Sequence, residues 1–344
     1  MSRILDMRGD WAAQPTDAMR QAMASAVVGD DVTHEDPTVI ELEERSAELL
    51  GKEAGLFVPS GTMGNLVSIL ALAPYGSEVI AGDQSHAVIY EVGGYAVIGG
   101  HPMRTAPNDR FGMMDPEFVQ SLIRPGGNIH FPKTGLLLLE NSHNVRGGCV
   151  MNVEQTRALC DVAHNAGVPV HLDGSRLFNA AAAVGIPARE LIADLDTVTF
   201  CLSKGLAAPV GSMVVGTQEQ MDRARGARKL LGGGMRQAGV LAAAGLVAIN
   251  QMIDRLSEDH ENARKLAHGL ADIPGFNVDM ETVQTNLVFA DLDGEKSADE
   301  IGTVLEEDGI RTSVFGADRI RFALHYQISS GDIDRVINSV RQLV

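Results

Sequence analysis

Short apolar runs alternate with helix-like segments between residues 56 and 215 of this chain. One of these helix-like segments covers residues 153–166. Strands that alternate with helices pair in a mostly parallel sheet, which helices cover on both faces. The alternation therefore predicts an α/β fold around one large sheet. The six apolar runs lie at residues 56–58, 78–81, 136–139, 168–172, 198–202 and 212–215.

A smaller α+β unit is predicted at the C-terminal end. Residues 253–270 place apolar side chains on one face at helical spacing, and Pro274 and Gly275 then interrupt the chain. The remainder reads as strand, helix, strand and helix. We therefore expect an N-terminal arm and large domain over residues 1–250, and a connecting helix with a small domain over residues 251–344.

The charge and the cysteines argue against several classes of function. The formal net charge of −17 opposes binding to a phosphate backbone. The scattered residues Cys149, Cys160 and Cys201 have no metal-ligand spacing and predict a reducing compartment. The first residues lack the apolar segment of a signal peptide, and the apolar stretch 238–249 is too short to span a bilayer. We expect a cytoplasmic protein that binds no nucleic acid, membrane or metal.

Two polar residues that follow apolar runs indicate a cofactor. Asp173 ends the run at 168–172, and Lys204 follows the run at 198–202, about one strand–helix–strand unit later. An amine and a carboxylate placed in this way can bind the aldehyde and the ring nitrogen of pyridoxal phosphate. A solvated lysine and a turn aspartate are the alternative interpretation.

Further residues could contact such a cofactor. The turn of Ser60, Gly61 and Thr62 opens a helix, where free N–H groups can bind phosphate, although a simple helix cap is the alternative. His86 follows the second run, at the edge of the sheet where ligands bind. Its imidazole could stack on a ring or move a proton, although a surface histidine is the alternative.

Four cationic residues could bind anions. Arg176 follows Asp173 closely, and Arg321 lies on a predicted strand of the small domain, so both could fork onto a carboxylate. Lys229 and Arg236 flank the glycines 232–234, where a sharp turn could present them to an anion in a neighbouring subunit. Solvated charges are the alternative for Arg321, Lys229 and Arg236.

Strings along the whole chain, taken in order, resemble the low-specificity L-threonine aldolases. They include GKEAGLFVPSGTMGN, SHAVIYEVGG, NIHFPKT, VHLDGSRLFNA, CLSKGLAAPVGS and KLLGGGMRQAGVLAAAG. The resemblance implies the fold type I of pyridoxal phosphate enzymes, with a mostly parallel seven-stranded sheet between helices and a smaller C-terminal α+β domain. It also implies a homodimer or homotetramer with shared active sites.

The resemblance implies an activity as well. This is the retro-aldol cleavage of L-threonine, L-allo-threonine or a related L-β-hydroxy-α-amino acid to glycine and an aldehyde, together with the reverse addition. Another fold type I lyase or an aminotransferase that acts on a small amino acid is the alternative.

The same resemblance implies roles for individual residues. Lys204 forms a Schiff base with the aldehyde, Asp173 pairs with the ring nitrogen and His86 stacks on the ring. His86 and His130 are candidates for contacting the β-hydroxyl group. Arg176 lies near the ring hydroxyl and the substrate carboxylate, which Arg321 binds. The remaining residues expected to bind the cofactor are Ser60, Gly61, Thr62, Ser203, Lys229 and Arg236.

The N-terminal segment departs from the family pattern D-L-R-S-D-T-V-T. Gly9 stands where the family has a serine expected to touch the substrate carboxylate, and Trp11 replaces a threonine close to the site. Thr33 and His34 likewise replace a tyrosine and a glycine. We therefore expect Gly9 and Trp11 to contact a substrate with a bulkier or aromatic side chain than that of threonine.

Overall fold

The computed structural model describes residues 3–343, and the polypeptide there forms two main sheets with helices packed against them. The strands of these residues are β1 Leu5–Asp6, β2 Ala54–Val58, β3 Glu78–Gly82, β4 Met103–Ala106, β5 Thr134–Glu140, β6 Val170–Asp173, β7 Thr197–Cys201, β8 Ser212–Gly216, β9 Phe276–Asn277, β10 Leu287–Leu292, β11 Ile310–Arg311, β12 Ser313–Val314 and β13 Arg319–Ala323.

The helices occupy the connections between strands and both ends of the chain. They are α1 Asp17–Ser25, α2 Pro37–Leu50, α3 Gly61–Leu72, α4 His86–Ile89, α5 Gly94–Val97, α6 Pro116–Leu122, α7 Val153–Asn165, α8 Leu177–Val184, α9 Ala188–Leu191, α10 Gln218–Leu230, α11 Gly239–Gln251, α12 Leu256–Ala271, α13 Ala298–Glu307 and α14 Ser330–Arg341. Short 3-10 helices lie at Asp10–Ala12, Asn144–Arg146 and Met280–Thr282.

The larger sheet has seven strands in the order β2-β8-β7-β6-β5-β3-β4. Strand β8 alone runs opposite to the other six strands, so the sheet is mostly parallel, as expected. Each of the six apolar runs overlaps one of these strands. The seventh strand, β4, has no apolar run in the sequence, because its residues are mostly half-buried or exposed at the edge of the sheet.

The second sheet is antiparallel and has the order β12-β13-β10-β9. Its apolar core also contains Leu5 and Met7 from the start of the chain, and β1 pairs in parallel with β11. The N-terminal arm therefore joins the C-terminal part of the fold before the chain reaches the large sheet. The division into domains at residue 250 stays a prediction.

Polar residues at helix starts show why the helices begin where they do. The Asp36 carboxylate accepts hydrogen bonds from the N–H groups of Thr38 and Val39, and Pro37 occupies the first turn of α2. Asn152 and Gln155 form a reciprocal capping box at α7. These caps set the helix starts that the apolar pattern alone leaves open.

The residues described contain no single helix that is both long and apolar enough to cross a membrane. Helices α11 and α12 reach the required length and composition only when they are taken together, and the pair is bent by 71°. Most of the Ala- and Gly-rich α11 is buried in the fold.

Candidate active site

The carboxyl ends of the parallel strands bring the central candidate residues together. Glu140 and Asp173 are the last residues of β5 and β6, and Lys204 follows β7 after a two-residue step. Because neighbouring parallel strands end at one edge of the sheet, these side chains share one crevice. Lys204 lies close enough to Asp173 for its charge to lower the pKa of that carboxyl group.

Asp173 is a buried carboxylate in this crevice. Its oxygens accept hydrogen bonds from the Ser175 N–H at 3.0 Å and from Asn65 Nδ2 at 2.9 Å. Burial raises the pKa of Asp173, but the nearby charges of His86 and Lys204 and these hydrogen bonds outweigh it, so the pKa is lowered. The group is therefore an anion at neutral pH, as a partner for a protonated ring nitrogen must be.

His86 begins α4, directly after β3. Its backbone N–H donates to Glu140 Oε2 at 2.7 Å, and its Nδ1 lies 2.8 Å from Glu91 Oε1. Burial lowers the pKa of His86. The hydrogen bond with Glu91 and the charge of Asp173 raise it by a larger amount, so the pKa is raised overall. The ring of Tyr90 lies 5.4 Å from the imidazole and is tilted by 42°.

One donor atom each from His86, Glu91 and Asp173 lie within 4.8 Å of one another. Such spacing would allow the three groups to share a cation. Asn65 Nδ2 already donates to both carboxylates, and His86 Nδ1 already meets Glu91. Hydrogen bonds among these side chains therefore account for this arrangement.

The start of α3 forms an open cup beside these residues. Ser60 caps the helix by accepting the Met63 N–H at 3.2 Å, and the N–H groups of Gly61 and Thr62 donate to no other group within residues 3–343. A Cβ atom at Gly61 would lie 2.9 Å from Cys201 Sγ. The missing side chain thus lets the neighbouring strand approach a helix start that is suited to an anion.

Arg176 and Asp10 form a buried ion pair at the other side of the crevice. Arg176 Nε and Nη2 donate to the two carboxylate oxygens of Asp10 at 2.8 Å each. Burial lowers the pKa of Arg176, but Asp10 raises it, with a net increase. Asn286 Nδ2 donates to the same carboxylate at 3.1 Å. The charge of Arg176 is therefore already compensated within the protein.

Arg321 is a buried cation without a carboxylate partner within residues 3–343. It donates to the Arg8 carbonyl at 2.8 Å and to Asn144 Oδ1 at 3.2 Å, an oxygen that also accepts from Arg176. Its Nε has no hydrogen-bond partner. Burial and the charge of Arg176 lower the pKa of Arg321 to about 10, so the group stays charged at neutral pH. An anion is the missing partner for such a group.

Three candidate residues lie apart from this constellation. His130 is exposed, and its backbone N–H donates to Asn128 Oδ1 at 2.9 Å. Arg236 is exposed and forms an ion pair with Asp30, and Lys229 is exposed at the end of α10. However, Gly233 of the glycine turn packs against Met63 of α3, so the turn that separates these two cations lies next to the cup.

Gly9 and Trp11 interlock beside the Asp10–Arg176 pair. A Cβ atom at Gly9 would lie 1.9 Å from Trp11 Nε1, so the indole occupies the space that a serine at position 9 would need. The Trp11 side chain is half-exposed, and the guanidinium of Arg8 lies 5.5 Å from its ring centre. The two departures from the family pattern are therefore one linked change.

Several residues of the site were missed by sequence reasoning. Their signals were weak, because each is a single polar residue next to a recognised one. Asn65 lies in the first turns of the otherwise apolar α3, and Glu91 follows His86 by little more than one helical turn. The missed residues are Asp10, Asn65, Tyr90, Glu91 and Asn144.

The residues of the crevice fit pyridoxal phosphate. The cup at Gly61 suits the phosphate, the ionised Asp173 suits a protonated ring nitrogen and Lys204 supplies an amine. The unpartnered Nε of Arg321 suits the carboxylate of an amino acid substrate. Each requirement of the cofactor and of its substrate thus meets a group of the matching charge.

Comparisons with known proteins agree with this geometry. The model of the beta-eliminating lyase family matches residues 6–293. Low-specificity L-threonine aldolase 1 of Arabidopsis thaliana is 46% identical, over 99% of this chain and 96% of its own length. A threonine aldolase structure from Leishmania major superposes with a TM-score of 0.86 at 17% identity, over 98% of this chain and 99% of that chain. A serine palmitoyltransferase structure from S. paucimobilis with bound pyridoxal phosphate covers 98% of this chain and 86% of its own, with a TM-score of 0.75 at 20% identity.

Proposed function

The chain belongs to the beta-eliminating lyase family and, within it, to the low-specificity L-threonine aldolases, and from this premise we propose the reaction and the residues that carry it. The protein is a pyridoxal phosphate-dependent carbon–carbon lyase. It cleaves L-threonine or a related L-β-hydroxy-α-amino acid to glycine and an aldehyde, and it catalyses the reverse addition.

Pyridoxal phosphate, when it is bound, supplies an electron sink for the electron pair that remains at Cα after the Cα–Cβ bond breaks. Lys204 is the residue that would bind the cofactor covalently. Asp173 keeps the ring nitrogen protonated, because its own lowered pKa holds it as an anion. Gly61 and Thr62 would hold the phosphate through their free N–H groups, together with Ser60 and Ser203.

His86 is the residue best placed to move the proton of the β-hydroxyl group. Its Nδ1 is engaged by Glu91, and its Nε2 has no hydrogen-bond partner within residues 3–343. A general base must lie within hydrogen-bond reach of the proton that it removes, so Nε2 is the atom available for this task. His130 remains a second candidate, but the exposed loop that carries it would have to approach the crevice before His130 could contact a substrate.

One observation carries the proposal that the substrate is an amino acid. The buried guanidinium of Arg321 has an unpartnered Nε and no carboxylate partner within residues 3–343. Arg176, in contrast, is neutralised by Asp10. A substrate carboxylate supplies the missing charge and fixes Cα relative to Lys204. Orientation of this kind contributes to the rate because the bond to be broken must be aligned with the electron sink.

The test is a panel of β-hydroxy-α-amino acids, assayed for aldehyde and glycine with the reconstituted enzyme. Lys204→Ala is the blank, and its products should not rise above the uncatalysed rate. Failure of the wild-type enzyme to release aldehyde from every member of the panel would refute the proposal.

Elimination across Cα and Cβ is a second candidate, since the matching family model carries that reaction in its description. The same amine and carboxylate would serve it. Serine or threonine would then yield a keto acid and ammonia instead of glycine and an aldehyde. Product analysis therefore separates the two activities.

We propose further that the preferred substrate has a larger side chain than threonine. Trp11 flanks Asp10, which anchors Arg176, so the indole lies near the carboxylate clamp. Gly9 offers no hydroxyl group to the carboxylate, and the loss of one such bond weakens binding by about 1.5–3 kcal/mol. A kcat/KM for threonine above that for phenylserine would contradict this preference.

Shared active sites in a homodimer or homotetramer are also proposed. The segment that follows His86 exposes Val92, Val97 and Ile98, and the exposed Arg236 side chain next to the glycine turn pairs with Asp30. Light scattering counts the chains. Mixing inactive Lys204→Ala and Arg236→Ala variants should restore activity if one site takes residues from two subunits, and no recovery would contradict this arrangement.

We propose a cytoplasmic location because the cysteines form no disulfide within residues 3–343. Cys149, Cys160 and Cys201 are buried and free, as expected in a reducing compartment. Burial raises the pKa of Cys149 and Cys160 to about 12, so both thiols are unreactive at neutral pH. Cell fractionation with an antibody to the untagged protein tests the location.

A further inference from the structure

Glu91 is a buried acid that the proposed chemistry does not use directly. It follows α4 and is only 7% exposed, although its segment is otherwise open to solvent on several side chains. Its Oε1 accepts two hydrogen bonds of 2.8 Å, one from His86 Nδ1 and one from Asn65 Nδ2. A buried carboxylate is costly unless it is paired in this way, so its position calls for a role.

Asn65 joins this acid to the acid that faces the cofactor ring. Its Nδ2 carries two hydrogens and donates to Glu91 Oε1 at 2.8 Å and to Asp173 Oδ2 at 2.9 Å. One amide therefore bridges the two carboxylates at a fixed spacing. Burial and the charge of Asp173 raise the pKa of Glu91, and the hydrogen bonds from His86 and Asn65 only partly offset this.

The orientation of the Asn65 amide is set from behind by His171. His171 Nε2 lies 3.1 Å from Asn65 Oδ1, and its Nδ1 lies 2.8 Å from the Thr197 hydroxyl group. Burial lowers the pKa of His171 to about 4, so the ring is neutral and donates Nε2–H to the amide oxygen. The amide hydrogens must then face the two carboxylates.

We infer that Glu91, held by Asn65, is a positioning residue that fixes the ring orientation and the Nδ1 proton of His86. The carboxylate takes up Nδ1–H, which leaves Nε2 as the single atom that can exchange a proton with a substrate. Asn65 bridges Glu91 and Asp173 through its two amide hydrogens, so that each acid keeps an orientation towards its own partner. This inference rests on the proposed function for its kinetic consequence, but its structural part does not depend on activity.

The charge state of His86 depends on all of its surroundings. Glu91 and Tyr90 face it from its own segment, Asp173 from β6 and Lys204 from the loop after β7. Glu140 of β5 binds its backbone N–H. Removal of the Glu91 charge leaves the other groups in place, so a change in His86 titration can be assigned to Glu91.

Two substitutions of Glu91 separate the effect of its charge from the effect of its hydrogen-bond acceptor. Glu91→Gln keeps an oxygen that can accept both hydrogen bonds and removes only the charge. Glu91→Leu removes the acceptor as well. Glu78→Gln is the matched control, because Glu78 is also buried but pairs with Arg104 and Arg124.

The first measurement is nitrogen NMR of histidine-labelled apoprotein, with the His86 signal identified by its loss in His86→Asn. We expect the wild type and Glu91→Gln to hold the proton on Nδ1, and Glu91→Leu to lose that preference. The His86 titration midpoint should fall in both Glu91 variants and stay unchanged in Glu78→Gln. An unchanged tautomer in Glu91→Leu together with an unchanged midpoint in Glu91→Gln would overturn the inference.

The second measurement is the pH profile of aldehyde release by the reconstituted enzyme. Glu91→Leu should lower kcat by about 10- to 100-fold, because part of the general-base contribution is lost, while KM changes by less than about threefold. Glu91→Gln should recover much of this loss and move the acidic limb of the profile to lower pH. If Glu91→Leu does not fold, the two readouts of Glu91→Gln decide. If no variant and no wild-type sample shows activity, the proposed function fails, and the NMR readout still decides the role of Glu91.

Discussion

Asp10 shows how a single residue stabilises the site. Its carboxylate is completely buried and binds Arg176 through two hydrogen bonds, and these lower its pKa although burial raises it. A surface pair would contribute little, because water screens it. The buried pair is different, since removing one partner leaves an uncompensated charge in the interior.

Replacing Asp10 by asparagine should therefore destabilise the fold. We expect Asp10→Asn to lower the free energy of unfolding by about 3–5 kcal/mol, as in other broken buried pairs. Urea unfolding measures the change. Asp194→Asn is the control, because Asp194 pairs with Arg157 at the surface and should cost less than about 1 kcal/mol. A similar cost for both variants would contradict this account.

His171 makes stability depend on pH. Its pKa in the folded protein is about 4, because it is buried, whereas an unfolded histidine has its ordinary value of 6.5. Between these values the unfolded chain binds a proton that the folded chain does not, so stability is complete above pH 6.5 and falls as the pH drops towards 4.

The substitution His171→Gln should weaken this dependence. Without the His171 imidazole, the slope of the unfolding free energy against pH should fall by up to about 1.4 kcal/mol per pH unit between pH 6.5 and 4. Urea titrations at several pH values measure the slope. An equal slope in wild type and His171→Gln would count against the neutral buried ring.

At the scale of elements, helix α3 has a start that can face a ligand and a body that anchors the helix in the fold, and different residues serve these two functions. Its first residues are small and polar, and its later residues are apolar and buried under the sheet. The start can therefore face a ligand while the body anchors it. Gly61 is the point where this helix start touches the end of β7, through Cys201.

Gly61→Ala should weaken binding of pyridoxal phosphate. The added Cβ would lie 2.9 Å from Cys201 Sγ, and crowding of this kind costs about 1–3 kcal/mol, or roughly 10- to 100-fold in affinity. Titration of apoprotein with the cofactor, followed by absorbance, gives the dissociation constant.

Gly226→Ala is the matched control in helix α10. Its Cβ would meet no atom within 4 Å, so cofactor affinity should stay the same and stability should rise by about 0.5–1 kcal/mol. Equal affinity in Gly61→Ala and in the wild type would show that the cup does not hold the phosphate.

At the scale of the whole molecule, the site lies where three parts of the chain meet. Arg321 comes from the small sheet, its acceptor Arg8 from the N-terminal arm and Asn144 from the loop after β5. The arm shares the apolar core of the small sheet, and the Ala323 N–H of β13 donates to the Met7 carbonyl of the arm. Any motion of the small sheet would therefore carry the arm and Arg321 together.

Arg321→Met should separate function from stability. We expect kcat/KM to fall by about 100- to 1000-fold, since about 3–4 kcal/mol of charge-assisted hydrogen bonding to the carboxylate is lost. The melting temperature should hold or rise, because an unpaired buried charge is removed. Arg319→Met, two residues earlier on β13, breaks only a surface pair with Asp291 and should change kcat/KM by less than about twofold. Parallel losses in both variants would refute the clamp.

Much of this molecule could be predicted from local patterns. The period of apolar residues marks strands and helices because each element must bury one face, and six of the seven large-sheet strands were recognised in this way. The edge strand β4 was not, since an exposed edge needs no apolar run. Lys204, Asp173 and the cup at Gly61 were found because each directly follows or opens such an element.

The sequence by itself determined the fold class and the family and predicted candidate residues for a cofactor, because these depend on short-range periods and on motifs with fixed chemistry. Only the tertiary structure decided that Asp10 neutralises Arg176 while Arg321 has no carboxylate partner within residues 3–343, that Trp11 excludes a side chain at Gly9, and that Glu91 binds both His86 and Asn65. The physical reason is distance along the chain for most of these: Asp10 and Arg176 are brought together by folding alone, and an ion pair of this kind leaves no periodic trace in the sequence.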